Sequence, residues 1–516
     1  MKKVVLIAPP NDFAGNVNVM QFTSLLAPPM SILALGSYLA AHDVPVELID
    51  VQIDFGFGLT HAAERLVARR VARYLADQAD QIAWVGLSQL SNAGSGVVIA
   101  EEVHAARPDL PILFGGYFPS GAYRTLLERY PFITAVVRGD GEAAALAISQ
   151  RIAQGQPFLT EETPGLAWRD GAAIRQSPIR PMALADLPIL DFRLLRNPHS
   201  YQIVDLMTSR GCPFHCAYCL EGTMRPYAAH PPSWVDRQLT HLESEMPNER
   251  VFIYDPVFGL GRRRALEMCR VLGSHRFHYA AESRVDVLEP SLLPTLRAAG
   301  VETVFLGIES ASPATLLRMD KLPSSRRAEQ YLRQALAVLE ACFRADVTPV
   351  MGFMLGFPGD SEADYQATLT FVQEIARLHD RVVAQTRVET GFVPFAFYTK
   401  IYDGSPLAGR VGEAFPQATL RDEPFIGERT VLSPSGGLDL SVTQRYQAEI
   451  ARHGGYTSLA LERLWHYYSF SMDAFLDDHP ELKDDQGVVV LGDALHRLPQ
   501  SFRVAATRMR YDKARE

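Results

Sequence analysis

Cysteine is scarce: the 516-residue chain has five. An odd, small count excludes a disulfide framework and fits a reducing cytoplasm, where the chain is expected to reside. Long apolar runs are also missing. The first, Val4–Ala8, is too short for a secretory core and ends at Pro9-Pro10. No stretch reaches the roughly eighteen continuous apolar residues of a membrane span. There is no basic excess, since 50 Lys and Arg stand against 59 Asp and Glu for a net charge of −9. A nucleic-acid backbone needs a basic face, so nucleic acid is not an expected partner. No internal repeat or long low-complexity tract occurs. What remains is a chain of ordinary soluble composition, long enough for two or three domains.

The few cysteines are concentrated. Arg210-Gly211-Cys212-Pro213-Phe214-His215-Cys216-Ala217-Tyr218-Cys219 places three at C-x3-C-x2-C spacing, just after the apolar run Ile203–Met207. Such a loop can wrap three thiolates around one face of a [4Fe–4S] cubane and leave the fourth iron open to a substrate or cofactor. Zinc, with His215 or His230 as fourth ligand, is the alternative, although the second C-x2-C knuckle usual for zinc is missing. Three simple buried thiols are the other. Cys269 and Cys342 stand alone inside helical patterns and read as core thiols. No second cysteine group suggests an auxiliary cluster.

Residues 1–155 alternate short apolar runs (Val4–Ala8, Val46–Asp50, Ile82–Ser88, Ile112–Phe114) with helical patterns (Met30–His42, Ala62–Gln78, Gly94–Arg107). That alternation predicts an α/β, doubly wound, Rossmann-like sheet with ligands at the strands' carboxyl ends. Residues 156–200 form a proline-punctuated linker with a small Asp170-Gly171 hairpin. Residues 201–400 alternate again. Strands are expected at Ile203–Thr208, Val251–Tyr254, Tyr279–Ser283, Thr303–Gly307, Thr348–Phe353 and Thr386–Thr390, with helices between them. Six β/α units suggest an open partial TIM-like barrel, and barrel chemistry sits at the carboxyl ends of its strands. The cysteine loop follows the first strand and lands on that rim. Residues 401–516 read as Pro- and Gly-rich chain to Gly437. Helical patterns follow at Val442–His453, Leu459–Asp477 and Ala494–Tyr511, a mainly helical cap over the barrel mouth. The aromatics Trp465 to Phe470 there read as helix core.

The cysteine loop resembles the radical S-adenosylmethionine (SAM) signature C-x3-C-x-aromatic-C, with Tyr218 at the aromatic position. Further matches are Gly307-Ile308-Glu309-Ser310, Gly356-Phe357-Pro358-Gly359 and the closing phrase Asp403-Gly404-Ser405-Pro406-Leu407. The first domain resembles the cobalamin-binding domain that precedes many radical SAM enzymes. Its carriers are Ala27-Pro28-Pro29-Met30, Val85-Gly86-Leu87-Ser88, Gly115-Gly116-Tyr117 and Gly139-Asp140-Gly141-Glu142. It departs from many cobalamin proteins in lacking D-x-H-x-x-G: Asp12-Phe13-Ala14-Gly15 has no histidine.

The resemblance implies a [4Fe–4S] cluster on Cys212, Cys216 and Cys219, with SAM on its open iron. It implies Tyr218 near the adenine and Glu309 and Ser310 near the ribose or methionyl part. Arg284 or Lys321 would meet the SAM carboxylate, and Asp255 would hold the methionyl amine or order the rim. Cobalamin would lie against Asp12, Ser88, Gly115, Gly116, Tyr117 and Glu142. The implied activity is methylation of an unactivated carbon in a small molecule or peptide, through a 5′-deoxyadenosyl radical and methylcobalamin. An external electron donor of flavodoxin or ferredoxin type would be required. Non-methylating cyclisation, rearrangement or oxidation on the same scaffold is the alternative. The catalytic acid or base and the oligomeric state are not legible.

Overall fold

Continuous apolar runs such as Val4-Val5-Leu6-Ile7 suit strands covered on both faces, and the two main sheets are built from them. The computed structural model describes residues 1–10, 27–58, 60–89, 94–201, 203–246, 248–422, 428–464, 480–486 and 488–490. In the first sheet the strands are β1 (Lys3–Ala8), β2 (Val46–Asp50), β3 (Ile82–Ser88), β4 (Ile112–Gly115), β5 (Ala135–Val137), β6 (Leu166–Asp170) and β7 (Ala173–Gln176). Their order is β2-β1-β3-β4-β5-β6-β7. The first five run parallel; β6 and β7 are antiparallel additions. The linker hairpin therefore extends the first sheet.

Period-two alternation sorts β1 between two cores. Val5 and Ile7 face helices α2 (His61–Ala76), α3 (Gly94–Ala106) and α4 (Tyr117–Arg129). Val4 and Leu6 face α1 (Met30–Ala40) and α5 (Glu142–Ala153), in an apolar cluster that runs on into the second domain. The two domains thus share a core.

The second sheet holds β8 (Val204–Leu206), β9 (Arg250–Ile253), β10 (His278–Ser283), β11 (Val301–Glu309), β12 (Thr348–Leu355) and β13 (Val393–Tyr398), all parallel and in sequence order. Helices α6 (Pro232–Glu245), α7 (Arg262–Leu272), α8 (Leu293–Ala298), α9 (Ser325–Arg344) and α10 (Glu362–Thr386) fill the crossovers. The open six-stranded barrel is as expected, but its last strand is not at Thr386–Thr390. Helix α10 runs 25 residues through Thr386 and stops at left-handed Arg387, burying Leu378 and Val382 in its extra turns. That tertiary burial overrides the strand preference of threonine.

Beyond the barrel, β14 (Lys400–Tyr402), β15 (Thr419–Asp422) and β16 (Glu428–Ser433) make a small antiparallel sheet in the order β14-β16-β15, and α11 (Pro406–Ala414) packs beside it. This stretch was expected to be irregular. Its apolar face joins Ile401, Leu407 and Val431 to Ala217 of the cysteine loop. Helix α12 (Leu440–Arg452) packs on β13 and α10, covering the exposed edge of the open barrel. Arg463 pairs with Asp346 at 2.8 Å, in the turn that leads into β12. The described C-terminal helices therefore close the barrel's edge and its amino end, and the small sheet stands at the mouth instead. The helices expected beyond residue 464 and the aromatics 465–470 lie outside the described residues. Among the described residues no helix is long and apolar enough to cross a membrane.

Candidate functional site

The order β2-β1-β3-β4-β5 reverses direction between β1 and β3, the place where doubly wound sheets bind ligands. A cavity of about 390 Å³ opens there. Its upper wall carries Pro9, Pro10, Ser88, Gln89 and Gly115-Gly116-Tyr117 from the ends of β1, β3 and β4. Its lower wall carries Asp205, Met207, Arg210, Glu221 and Tyr254 from the barrel rim. The cavity is thus a space between two strand-end rims that face each other. Gly116 has φ 99°, and a Cβ there would stand 2.5 Å from the Gln89 carbonyl oxygen, so only glycine lets this turn close.

The cysteine loop is fixed from several directions. Asp255, at the end of β9, is 2% exposed and accepts from Thr208 N at 2.6 Å, Thr208 Oγ1 at 2.5 Å and Ser209 N at 2.9 Å. These bonds order the rim at the start of the loop. Arg284 donates to both oxygens of Asp286 at 2.9 and 2.8 Å and to Cys216 Sγ at 3.3 Å, and lies 3.8 Å over the Phe214 ring. It steadies the loop, and its fork is already engaged. The Ala217 amide donates to Met319 O at 2.7 Å, the Leu407 amide to Ala217 O at 2.8 Å and the Glu221 amide to Cys219 Sγ at 3.4 Å. Burial pushes the Cys219 thiol up to about 12 and also raises Cys212. Coordination would release those protons, because a bound metal deprotonates a thiol outright.

The donor set suits a cubane. Among the described residues no three Cys, His, Asp or Glu side chains converge on one point, as ligands of a single ion would. A cubane needs no such convergence, because its three thiolates bind three different irons. His230 stacks on Trp234, ring centroids 3.6 Å apart.

Next to the loop, Tyr218 Oη donates to Glu309 Oε1 at 3.1 Å, and Lys321 Nζ approaches the same oxygen at 3.4 Å. Glu309 ends β11 in a left-handed conformation, φ 70°, after a register shift past Gly307. Such a bulge re-aims a side chain. Its carboxylate folds back over Gly307, where a Cβ would meet Oε1 at 2.5 Å. Tyr218, Glu309 and Lys321 are thus brought together as a polar patch. Ser310 points elsewhere: its hydroxyl is 3.4 Å from Thr368 Oγ1 and accepts from the Ser312 amide.

Two arginines bridge the domains through ion pairs. Arg210, just before the cysteine loop, reaches Glu142 Oε1 at 2.7 Å and Asp140 Oδ1 at 3.5 Å. Arg225, just after it, reaches Asp140 at 2.9 Å. All four side chains are at least 85% buried. Glu142 opens α5, where the helix N-terminus favours a carboxylate. Its second oxygen, Oε2, is shut off from solvent with no hydrogen-bond partner among the described residues, and Glu142 lines the cavity. An orphaned buried acceptor fits a ligand fringed with amide donors, as cobalamin is. A third tie is Thr125 Oγ1 of α4 donating to Asp403 Oδ2 at 3.1 Å, at the closing phrase.

Of the residues named for cobalamin, Ser88, Gly115, Gly116, Tyr117 and Glu142 line the cavity, and Asp12 lies outside the described residues. The sequence reading missed Asp205, Glu221 and Arg225. Glu221 and Arg225 had a local signal, their closeness to the cysteine motif, and Asp205 had none.

Residues 206–372 match the family described as the Radical SAM superfamily. An uncharacterized methyltransferase, PH0819 of Pyrococcus horikoshii, is 24% identical over 387 residues, 72% of this chain and 78% of that protein. The radical SAM methyltransferase TsrM of Kitasatospora setae, solved with cobalamin and a [4Fe–4S] cluster, superposes with TM-score 0.63 at 16% identity. That match covers 100% of this chain and 99% of TsrM. The cobalamin-dependent SAM radical enzyme OxsB, solved with aqua-cobalamin, gives TM-score 0.63 at 14% identity, covering 99% of this chain and 84% of OxsB. The fold is therefore shared along the whole chain.

Proposed function

We propose that this chain, whose residues 206–372 match the Radical SAM superfamily, is a cobalamin-dependent enzyme methylating an unactivated carbon of a small molecule or peptide. The observation that carries the reading is the cavity itself. A doubly wound sheet opens its ligand-binding end directly onto the rim that bears the cysteine loop. A reaction needing two cofactors on opposite sides of one substrate requires that arrangement. The names of TsrM and PH0819 point the same way. When bound, the cluster and SAM supply a carbon-centred radical and cobalamin supplies the methyl group.

The chain's own residues bind and orient. Cys212, Cys216 and Cys219 offer three thiolates, and Arg284 holds Cys216 in place. Glu309, aimed by its bulge and by Tyr218 and Lys321, offers an oxygen to the ribose or methionyl part of SAM. Glu142 and the backbone at Gly115 and Gly116 line the cavity and would hold cobalamin there. The shared apolar core and the bridging arginines keep water from entering between the domains.

The test is anaerobic purification, reconstitution with iron and sulfide, and addition of hydroxocobalamin. About four irons and one cobalamin per chain are expected. The triple variant Cys212→Ala, Cys216→Ala, Cys219→Ala is expected to lose the iron and keep the cobalamin. With a reduced flavodoxin or ferredoxin as electron source, products heavier by one methyl group establish methylation. Products without that gain would assign cyclisation, rearrangement or oxidation instead. Four irons without cobalamin would overturn the cobalamin part alone.

A further inference from the structure

Asp205 is the middle residue of the first barrel strand and lines the cavity from below. It is level with Phe252 on β9, which is level in turn with Ala280 on β10; both are fully buried. One step nearer the mouth stand Tyr254 and Glu282, the latter level with Phe305. The carboxylate thus sits at the edge of an apolar floor. Its Oδ1 is shut off from solvent and has no hydrogen-bond partner among the described residues. Tyr254 is 42% exposed and lines the cavity above it, its ring centroid 5.7 Å from that of Phe252.

A carboxylate oxygen shut off from solvent without a partner costs stability, and a second carboxylate nearby raises the cost. Burial and the charge of Glu282 hold the Asp205 carboxyl up to about 7. The opposite wall of the same cavity shows the usual remedy, with Arg210 and Arg225 standing against Asp140 and Glu142. Asp205 has no such residue beside it among the described ones. Asparagine would meet a neutral donor as well as aspartate does. A carboxylate beside another carboxylate specifically favours a positive charge arriving from outside.

We propose that Asp205, beside Glu282 and beneath Tyr254, anchors a cationic nitrogen of the acceptor substrate, which therefore belongs to the amine-, amidine- or guanidine-bearing small molecules or peptides. The word acceptor rests on the function proposed above; the cation site does not. SAM also carries a cationic sulfonium, and the test separates it from an acceptor nitrogen.

The experiment uses the reconstituted protein with SAM present, its iron and cobalamin measured on the same sample. Binding of n-butylammonium and of its neutral counterpart n-butanol is compared in wild type and Asp205→Asn by ligand-detected NMR. Wild type is expected to prefer the ammonium by about tenfold or more, and Asp205→Asn to lose that preference. Affinities for SAM and for S-adenosylhomocysteine, which lacks the sulfonium charge, are expected to keep their ratio in the variant. The ligand-free variant is expected to melt at or above wild type, because it sheds an uncompensated charge. Equal ammonium preference in both proteins would overturn the proposal. So would a changed ratio of SAM to S-adenosylhomocysteine, which would assign the site to the sulfonium. A variant melting well below wild type would make Asp205 a structural residue. Missing cobalamin with the ammonium preference intact would overturn the cobalamin part of the proposed function and leave the cation site standing.

Discussion

Two walls of one cavity carry carboxylates, and they are treated in opposite ways. Above, Asp140 and Glu142 face Arg210 and Arg225, and every charge has a counter-charge within 3.5 Å. Below, Asp205 faces Glu282, a group of its own sign. Between these extremes stands Glu309, held by one lysine and one tyrosine hydroxyl. The upper set locks the architecture. The lower set leaves Asp205 Oδ1 without a partner among the described residues, which a protein tolerates where a ligand completes it. The contrast shows that burial alone does not distinguish scaffold from recognition; what matters is whether the chain supplies the partner.

The largest expected effect breaks the upper wall. Arg225→Met leaves Asp140 charged and buried and is expected to destabilise the fold by about 3–5 kcal/mol in a denaturant titration. Arg225→Lys should recover part of that loss. The next experiment inverts the sign on the lower wall. The folded-state value of Asp205, about 7, lies above its unfolded value, so the native state keeps a proton that the unfolded chain releases. It therefore contributes nothing below about pH 4, destabilises increasingly as pH rises towards 7, and levels off at its full penalty above that. The upper bound is about 4 kcal/mol. Asp50 and Asp360, held up to about 7 and about 6 by burial, slope the same way. The difference between wild type and Asp205→Asn across that pH range isolates the Asp205 share. An unchanged slope in the variant would remove the asymmetry between the walls.

Smaller changes sharpen the intermediate case. Gly307→Ala displaces the Glu309 carboxylate and is expected to weaken SAM binding by about tenfold, read by equilibrium dialysis on reconstituted protein. Tyr218→Phe removes one hydrogen bond to Glu309. It should cost about 1 kcal/mol of SAM affinity and leave iron content unchanged.

Both sheets and the cysteine loop were legible because their signals are local: unbroken apolar runs, and three thiols within eight residues. The sixth barrel strand was misplaced because Thr386 to Thr390 has strand composition, while the helix before it gains burial by running on. The small sheet at 400–433 was missed because its strands earn their place only by packing on Ala217 and its neighbours. For the site, the cluster cysteines and the cavity's upper lining could be read from motifs. Ser310 shares a motif with Glu309 but lies past the bulge, where the chain has turned towards Thr368. Asp205 had no legible signal. An acidic residue inside an apolar strand looks like any solvated edge position until the rim opposite it is known.

The pairing of Arg225 with Asp140 spans 85 residues of chain. During synthesis the acidic half emerges first, at the start of a helix in a sheet whose strands are complete by residue 176. The arginines come later, one on each side of the cysteine loop. A newly made loop therefore meets a prepared surface and is clipped to it at both ends before any iron arrives. The first domain acts as a mould for the cluster loop, and a transplanted barrel would need its own Arg210 and Arg225 to be cast in the same shape.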